Sequence, residues 1–135
     1  AAAAELFIGQ GIRTSLETNG PDLLTKEAVC LKASCGAGHL DSIFRGLARI
    51  DLEKPAPSFE PIRERLEEME DRESLCTIFF SADARPEFQQ LLEKFRKEKR
   101  EFIWFCPVNR AIRPEINAGI RPYTRLIDVE EGGRL

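Results

Sequence analysis

The sequence predicts an α/β fold, and three observations lead there. Two short apolar runs rich in strand formers, Leu75 to Phe80 and Phe102 to Cys106, bracket a stretch of helical periodicity. Strand, helix, strand in that order implies a right-handed crossover with the two strands parallel. Upstream, Lys54-Pro55-Ala56-Pro57-Ser58 breaks the pattern, because each proline fixes its own φ and pushes its predecessor out of the helical region. The expected organisation is therefore a mainly helical N-terminal arm and linker over 1–57, followed by a mixed sheet flanked by helices over 58–135.

Within the arm, Leu40, Ile43, Phe44, Leu47 and Ile50 recur at the spacing of one apolar helical face, which predicts a helix over about Gly38 to Ile50. Thr18-Asn19-Gly20-Pro21 reads as a turn, and Leu23, Leu24, Ala28 and Leu31 after it fit a second helix. So short a segment is marginal as an independent domain, since chains below about 60 residues bury too little surface. The arm is expected to pack on the second part or on another subunit.

After the linker, Ser58 can cap a helix with Pro61 in its first turn. Ile62, Leu66 and Met69 line one face, while Glu60, Glu64, Glu67, Glu68, Glu70 and Asp71 make the rest acidic. Leu75 to Phe80 is then a strand of the kind buried on both sheet faces. Phe88, Leu91, Leu92 and Phe95 place a helix over about Arg85 to Lys99, with Pro86 near its start and basic residues at its end, as the helix dipole prefers. Phe102 to Cys106 is the second strand. A short helix is expected over Ile112 to Ala118 and a third strand over Arg125 to Val129. Glu131-Gly132-Gly133 reads as a hairpin turn into a fourth strand that Leu135 leaves unfinished.

The charge balance, 20 Lys and Arg against 23 Asp and Glu, gives a formal net charge of -3 and no global basic field. Nucleic acid is accordingly not the expected partner. No apolar run approaches the roughly 20 residues that a membrane-spanning helix needs, and the first residues lack the pattern of a secretory signal. The expected setting is soluble and intracellular.

The residue types that carry chemistry are sparse. Four cysteines, Cys30, Cys35, Cys76 and Cys106, match neither a Cys-x-x-Cys pair nor paired zinc knuckles, so small buried thiols are the simplest reading. Cys30 and Cys35 could bridge, or share a metal with His39, but a fourth ligand is not in sight. His39 is the single histidine, and no nucleophile can be placed beside it. Gly36-Ala37-Gly38 before a helix lacks the rest of a nucleotide fingerprint. A basic stretch through Lys94, Arg96, Lys97, Lys99, Arg100, Arg110, Arg113, Arg121 and Arg125 is either a set of solvated helix ends and loops or a docking face, above all Arg96, Lys97, Lys99, Arg100, Arg110 and Arg113, for an acidic partner, or for RNA if it gathers on one side.

Local segments resemble the thioredoxin-like fold over about Ser58 to Leu135. Phe79-Phe80-Ser81-Ala82-Asp83-Ala84-Arg85-Pro86-Glu87 can be laid without gaps on the family pattern F-W-A-P-W-C-G-P-C. Gly119-Ile120-Arg121-Pro122-Tyr123-Thr124-Arg125-Leu126-Ile127 is similar to its later segment G-I-R-x-x-P-T-L-x. The resemblance implies the family's fold without its chemistry. The two redox cysteines would fall on Ala84 and Glu87, the cis-proline on Thr124 and the buried carboxylate on Ile78. Disulfide exchange needs an activated thiolate and a resolving thiol, and neither stands there.

The pattern also resembles the redox-inactive thioredoxin-like family shared by a small accessory subunit of respiratory complex I and certain mitochondrial ribosomal proteins. That resemblance implies a non-catalytic structural or interaction subunit of a larger protein assembly, with no cofactor and a mitochondrial location. The alternatives are a thiol-disulfide enzyme using Cys30 and Cys35, or a mitochondrial ribosomal protein.

Overall fold

The computed structural model describes residues 1–53, 59–68, 76–109, 111 and 113–129. The chain is α/β, with four α-helices and two small sheets among the described residues. It forms two compact units, Ala1–Glu67 and Glu68–Leu135. The linker expected at Lys54 to Ser58 lies outside the described residues.

The first unit is not the mainly helical arm that the sequence suggests. Helix α1 spans Ala2–Gly9, strands β1 (Thr14–Pro21) and β2 (Ala28–Ser34) pair antiparallel, and helices α2 (Ala37–Ala48) and α3 (Glu60–Glu68) follow. The expected second helix is thus strand β2. The turn expected at Thr18 to Pro21 belongs to β1, where the register slips between Glu17 and Pro21 and the Thr18 hydroxyl donates to Val29 O at 2.8 Å. The chain reverses later, at Asp22 to Glu27. There the Asp22 carboxylate accepts the Leu24 and Thr25 N–H groups, the Asp22 N–H donates to Glu27 O, and Lys26 takes a left-handed conformation. Asx-turn chemistry at Asp22 therefore outweighs the Asn-Gly signal two residues earlier.

Helix α2 forms where predicted, but of its expected apolar face only Ile43 is buried; Leu40 and Leu47 are half-buried, Phe44 is exposed and Ile50 lies beyond the helix, while Gly46 lets the helix approach β2 closely. A Cβ there would lie 2.8 Å from Val29 Cγ1. Helix α3 belongs to this unit and not, as expected, to the part after it. Its Arg65 Nε donates to Glu17 Oε2 at 2.7 Å, and its Ile62 and Leu66 are buried. The calls on Ser58, Met69, Glu70 and Asp71 lie outside the described residues.

The second unit holds strand β3 (Thr77–Phe80), helix α4 (Pro86–Lys97), strand β4 (Phe102–Val108), a 3-10 turn at Arg121–Tyr123 and strand β5 (Thr124–Asp128). The strand order is β3-β4-β5, and both pairings are parallel. The sheet is therefore parallel, not mixed, among the described residues; the hairpin expected at Glu131 to Gly133 lies outside them. No helix forms where one was expected before Ala118: residues 113–117 are irregular, and Pro114 removes a donor there.

Helix α4 covers one face of this sheet. Phe79 on β3 meets Phe88 at 5.7 Å and Phe95 at 5.6 Å between ring centroids, and Trp104 on β4 meets Phe88 at 5.1 Å, all edge to face. Trp104 is fully buried, and its indole N–H donates to Ser81 O at 2.8 Å. The link from β4 to β5 is tied to the same helix by Gln89. Its buried amide donates to Ala84 O and Glu115 O, while its oxygen accepts the Asn117 N–H.

Pro107 sits in the central strand, a position normally closed to proline. The Ser81 N–H donates to Phe105 O, so the odd-numbered backbone groups of β4 face β3. Because β3 ends at Phe80, opposite Phe105, proline removes a donor where β3 no longer offers an acceptor.

Candidate functional site

Side chains alternate across a strand, so register decides which residues share a face. On β4, Phe102, Trp104, Cys106 and Val108 are buried, while Ile103, Phe105 and Pro107 are half-buried. Pairing places Ile78 and Phe80 of β3, and Ile127 of β5, on the same side as Ile103, Phe105 and Pro107. This second face is largely apolar and partly exposed, and Arg125 of β5 shares it opposite Phe105. Phe80 is 67% exposed and stacks on Phe105 with centroids 5.2 Å apart, and Ile127 is 41% exposed. The expectation that β3 is buried on both faces fails here, because Phe80 looks outward. The short apolar run signals a parallel strand but does not say whether both faces have a cover.

The four positions implied by the thioredoxin-like resemblance lie on β3, at the start of α4 and at the start of β5 in the second unit. Ala84 and Glu87 flank Arg85 and Pro86 at the start of α4. Thr124 opens β5, and its hydroxyl donates to Ile120 O at 2.8 Å; Ile78 lies on the open face of β3. The loop before α4 is organised by Asp83 instead. Its carboxylate takes both the Nε and Nη2 of Arg85 at 2.9 and 2.8 Å, and the Arg85 fork holds the Asp83 carboxyl below its usual pKa.

All four cysteines are free thiols, and they are not uniformly buried as expected: Cys30 and Cys76 are exposed, Cys35 is half-buried and Cys106 is buried. Cys76 also precedes β3 and is not part of it. Cys30 lies on β2 beside Arg65, with Arg65 Nη2 3.3 Å from its sulfur, whereas the Cys35 sulfur is 3.7 Å from Ile8 O on α1. Five residues of extended chain span about 16 Å, against the roughly 7 Å limit between Cα atoms for a disulfide. The two cannot bridge within this fold. Desolvation raises the thiol pKa of Cys30, Cys76 and Cys106, the opposite of what a nucleophilic cysteine requires. His39 sits 2.6 Å from Thr14 O through Nε2, and no group of His, Cys, Asp and Glu suited to a metal ion occurs among the described residues.

The basic stretch does not gather into one face. Arg96 is held by Glu93 at 2.8 Å and Arg113 by Asp128 at 3.0 Å, while Arg100 is largely buried with its guanidinium 3.8 Å over the Phe95 ring. Lys99 forms the left-handed end of α4, and Arg110 lies outside the described residues. Sequence reading missed the internal partners because they stand three residues away at Glu93 and fifteen away at Asp128, and only the former is a helical spacing. Of the predicted docking residues, Lys97 borders a groove, beside Gln90, Glu93, Lys94 and Asn117 to Gly119.

Comparison with protein-family models, with curated proteins and with solved structures finds no match. No described helix is long and apolar enough to cross a membrane.

Proposed function

We propose that the protein is a non-catalytic interaction subunit, and that the open face of the β3-β4-β5 sheet is the surface on which a protein partner packs. The observation that carries this reading is Phe80, a large aromatic side chain 67% exposed on a parallel sheet whose opposite face packs against α4 through Phe79 and Trp104. Parallel sheets occur almost only with both faces covered. An apolar face rimmed by polar groups is a recruiting surface, and burying one exposed phenylalanine contributes about 1.5 to 3 kcal/mol. Raised thiol pKa values and the separation of Cys30 from Cys35 support a binding role over disulfide exchange.

Photo-crosslinking tests it. A benzophenone amino acid at Phe80 in the full chain, expressed in its own cellular setting, should give a discrete protein adduct that the same probe at exposed Glu87 does not. Phe80→Asp, combined with the probe at Ile127, should abolish that adduct while Trp104 fluorescence stays native. Equal labelling from positions 80 and 87, or an adduct indifferent to the aspartate, would refute the proposal.

A further inference from the structure

We infer that the free edge of β5 takes an added strand: an extended segment of another protein, with consecutive apolar residues and no proline. Val129 N–H donates to Val108 O at 3.0 Å, so in the alternation of a parallel ladder the odd-numbered backbone groups of β5 face β4. The N–H and C=O groups of Leu126 and Asp128 therefore point away from the sheet, and no described residue pairs with them.

The side chains decide what kind of occupant fits. Leu126 pairs with the buried Cys106 and so lies on the α4 side of the sheet, whereas Ile127 pairs with Pro107 on the open face; they are 40% and 41% exposed. A helix laid on the open face would cover Ile127 and leave Leu126 in water. A strand about 4.8 Å from β5 sets side chains beside both. The inference thus does not rest on the sheet-face reading, in which Leu126 has no part.

Sheet edges are ordinarily blunted by proline, by bulges or by outward charges, which keep other chains from pairing there. Thr124–Asp128 contains no proline and runs beside β4 without a register shift. Its two charges are turned onto the chain itself. Arg125 Nη1 donates to Pro122 O and to Thr124 O, each at 3.0 Å, and Asp128 accepts from Arg113 Nη2 at 3.0 Å. An edge of this kind binds through main-chain hydrogen bonds, and the apolar side chains on its two faces select a partner segment that is apolar on both.

The test is an amide NMR titration of the full chain with a capped synthetic peptide, Lys-Thr-Val-Val-Ile-Thr-Lys, and with the same peptide carrying proline at its central position. The Leu126 and Asp128 amides should shift saturably, with a Kd of about 1 mM or tighter, and the proline peptide should bind at least about tenfold more weakly. Leu126→Pro removes an N–H that β4 does not use, so it should abolish binding while Trp104 fluorescence stays native. If that variant does not fold, the proline peptide makes the same comparison from the ligand's side. Phe80→Asp should leave binding unchanged, which separates this inference from the one about the sheet face. No saturable shift at Leu126 and Asp128, or equal binding of the proline peptide, would overturn it. Slow hydrogen exchange of the Leu126 amide in the free chain would overturn it as well: protection lost on dilution would assign the edge to a second copy, and protection that persists would assign it to the chain's own residues.

Discussion

Replacing Gln89 by Leu tests how the link between β4 and β5 is held to the sheet. The side chain is 3% exposed and makes three hydrogen bonds: to Ala84 O at 2.7 Å, to Glu115 O at 2.9 Å and from Asn117 N at 2.8 Å. Leucine keeps the volume and removes all three. An orphaned buried group costs about 1 to 3 kcal/mol. Glu115 and Asn117 are exposed residues whose backbone water can reach in part, whereas Ala84 is half-buried at the helix start. The loss should therefore lie near the lower end for each group, about 2 to 4 kcal/mol in all.

The chain has a single tryptophan, Trp104, buried in the second unit, so its fluorescence in a urea titration reports that unit and not the first. The midpoint should fall with little change in slope. Gln89→Glu is the discriminating companion. A carboxylate still accepts from Asn117 but cannot donate to two carbonyls, so this variant should be destabilised at neutral pH and recover partly in acid, when a protonated Glu donates again. A loss below about 0.5 kcal/mol in Gln89→Leu, the level of an ordinary surface change, would refute the idea that this amide anchors the link.

Phe79→Ala should cost the second unit about 3 to 5 kcal/mol by the same assay, because Phe79 meets the rings of Phe88, Phe95 and Phe102. Lys99→Gly should stabilise by about 1 kcal/mol, since Lys99 occupies the left-handed position after α4 while Arg100 N–H donates to Phe95 O and Lys99 N–H to Arg96 O; a fall in midpoint would refute that reading. Arg85 lowers the folded pKa of Asp83, so the stability this carboxylate confers is present above its unfolded pKa of about 3.9 and lost as pH falls through the lower folded value. Asp83→Asn should flatten the acid limb of a stability profile in that window, and an unchanged limb would show the ion pair to be without effect. Mild oxidation of the native protein, followed by intact-mass and peptide analysis, should yield no bond between Cys30 and Cys35.

The elements legible in the sequence are those whose pattern is local. Phe88, Leu91, Leu92 and Phe95 repeat at helical spacing, so α4 and its buried face follow from periodicity alone, as α2 does from Leu40 to Leu47. The run Phe102 to Cys106 announces a strand, and a strand-helix-strand order makes β3 and β4 parallel because a right-handed crossover permits little else. The same order of elements carried the α/β class, but the mixed sheet expected with it is not seen, because β5 pairs parallel with β4.

What tertiary structure decided lies at longer range. Whether Ala28 to Ser34 is helix or strand was settled by a partner, β1, twenty residues upstream at Thr14↔Ser34 and closer towards the turn, and no window of periodicity contains that pairing. The membership of α3 was settled by Arg65 reaching Glu17 and Cys30 across the first unit. The same holds for charge. Lys94 to Arg100 reads as a basic stretch until Glu93 takes Arg96 and the Phe95 ring takes Arg100. A residue's type determines what it can bond, but its exposure depends on which segment arrives beside it. Phe79 and Phe80 are neighbours of one type, and only the packing of α4 on one sheet face makes the first core and the second surface.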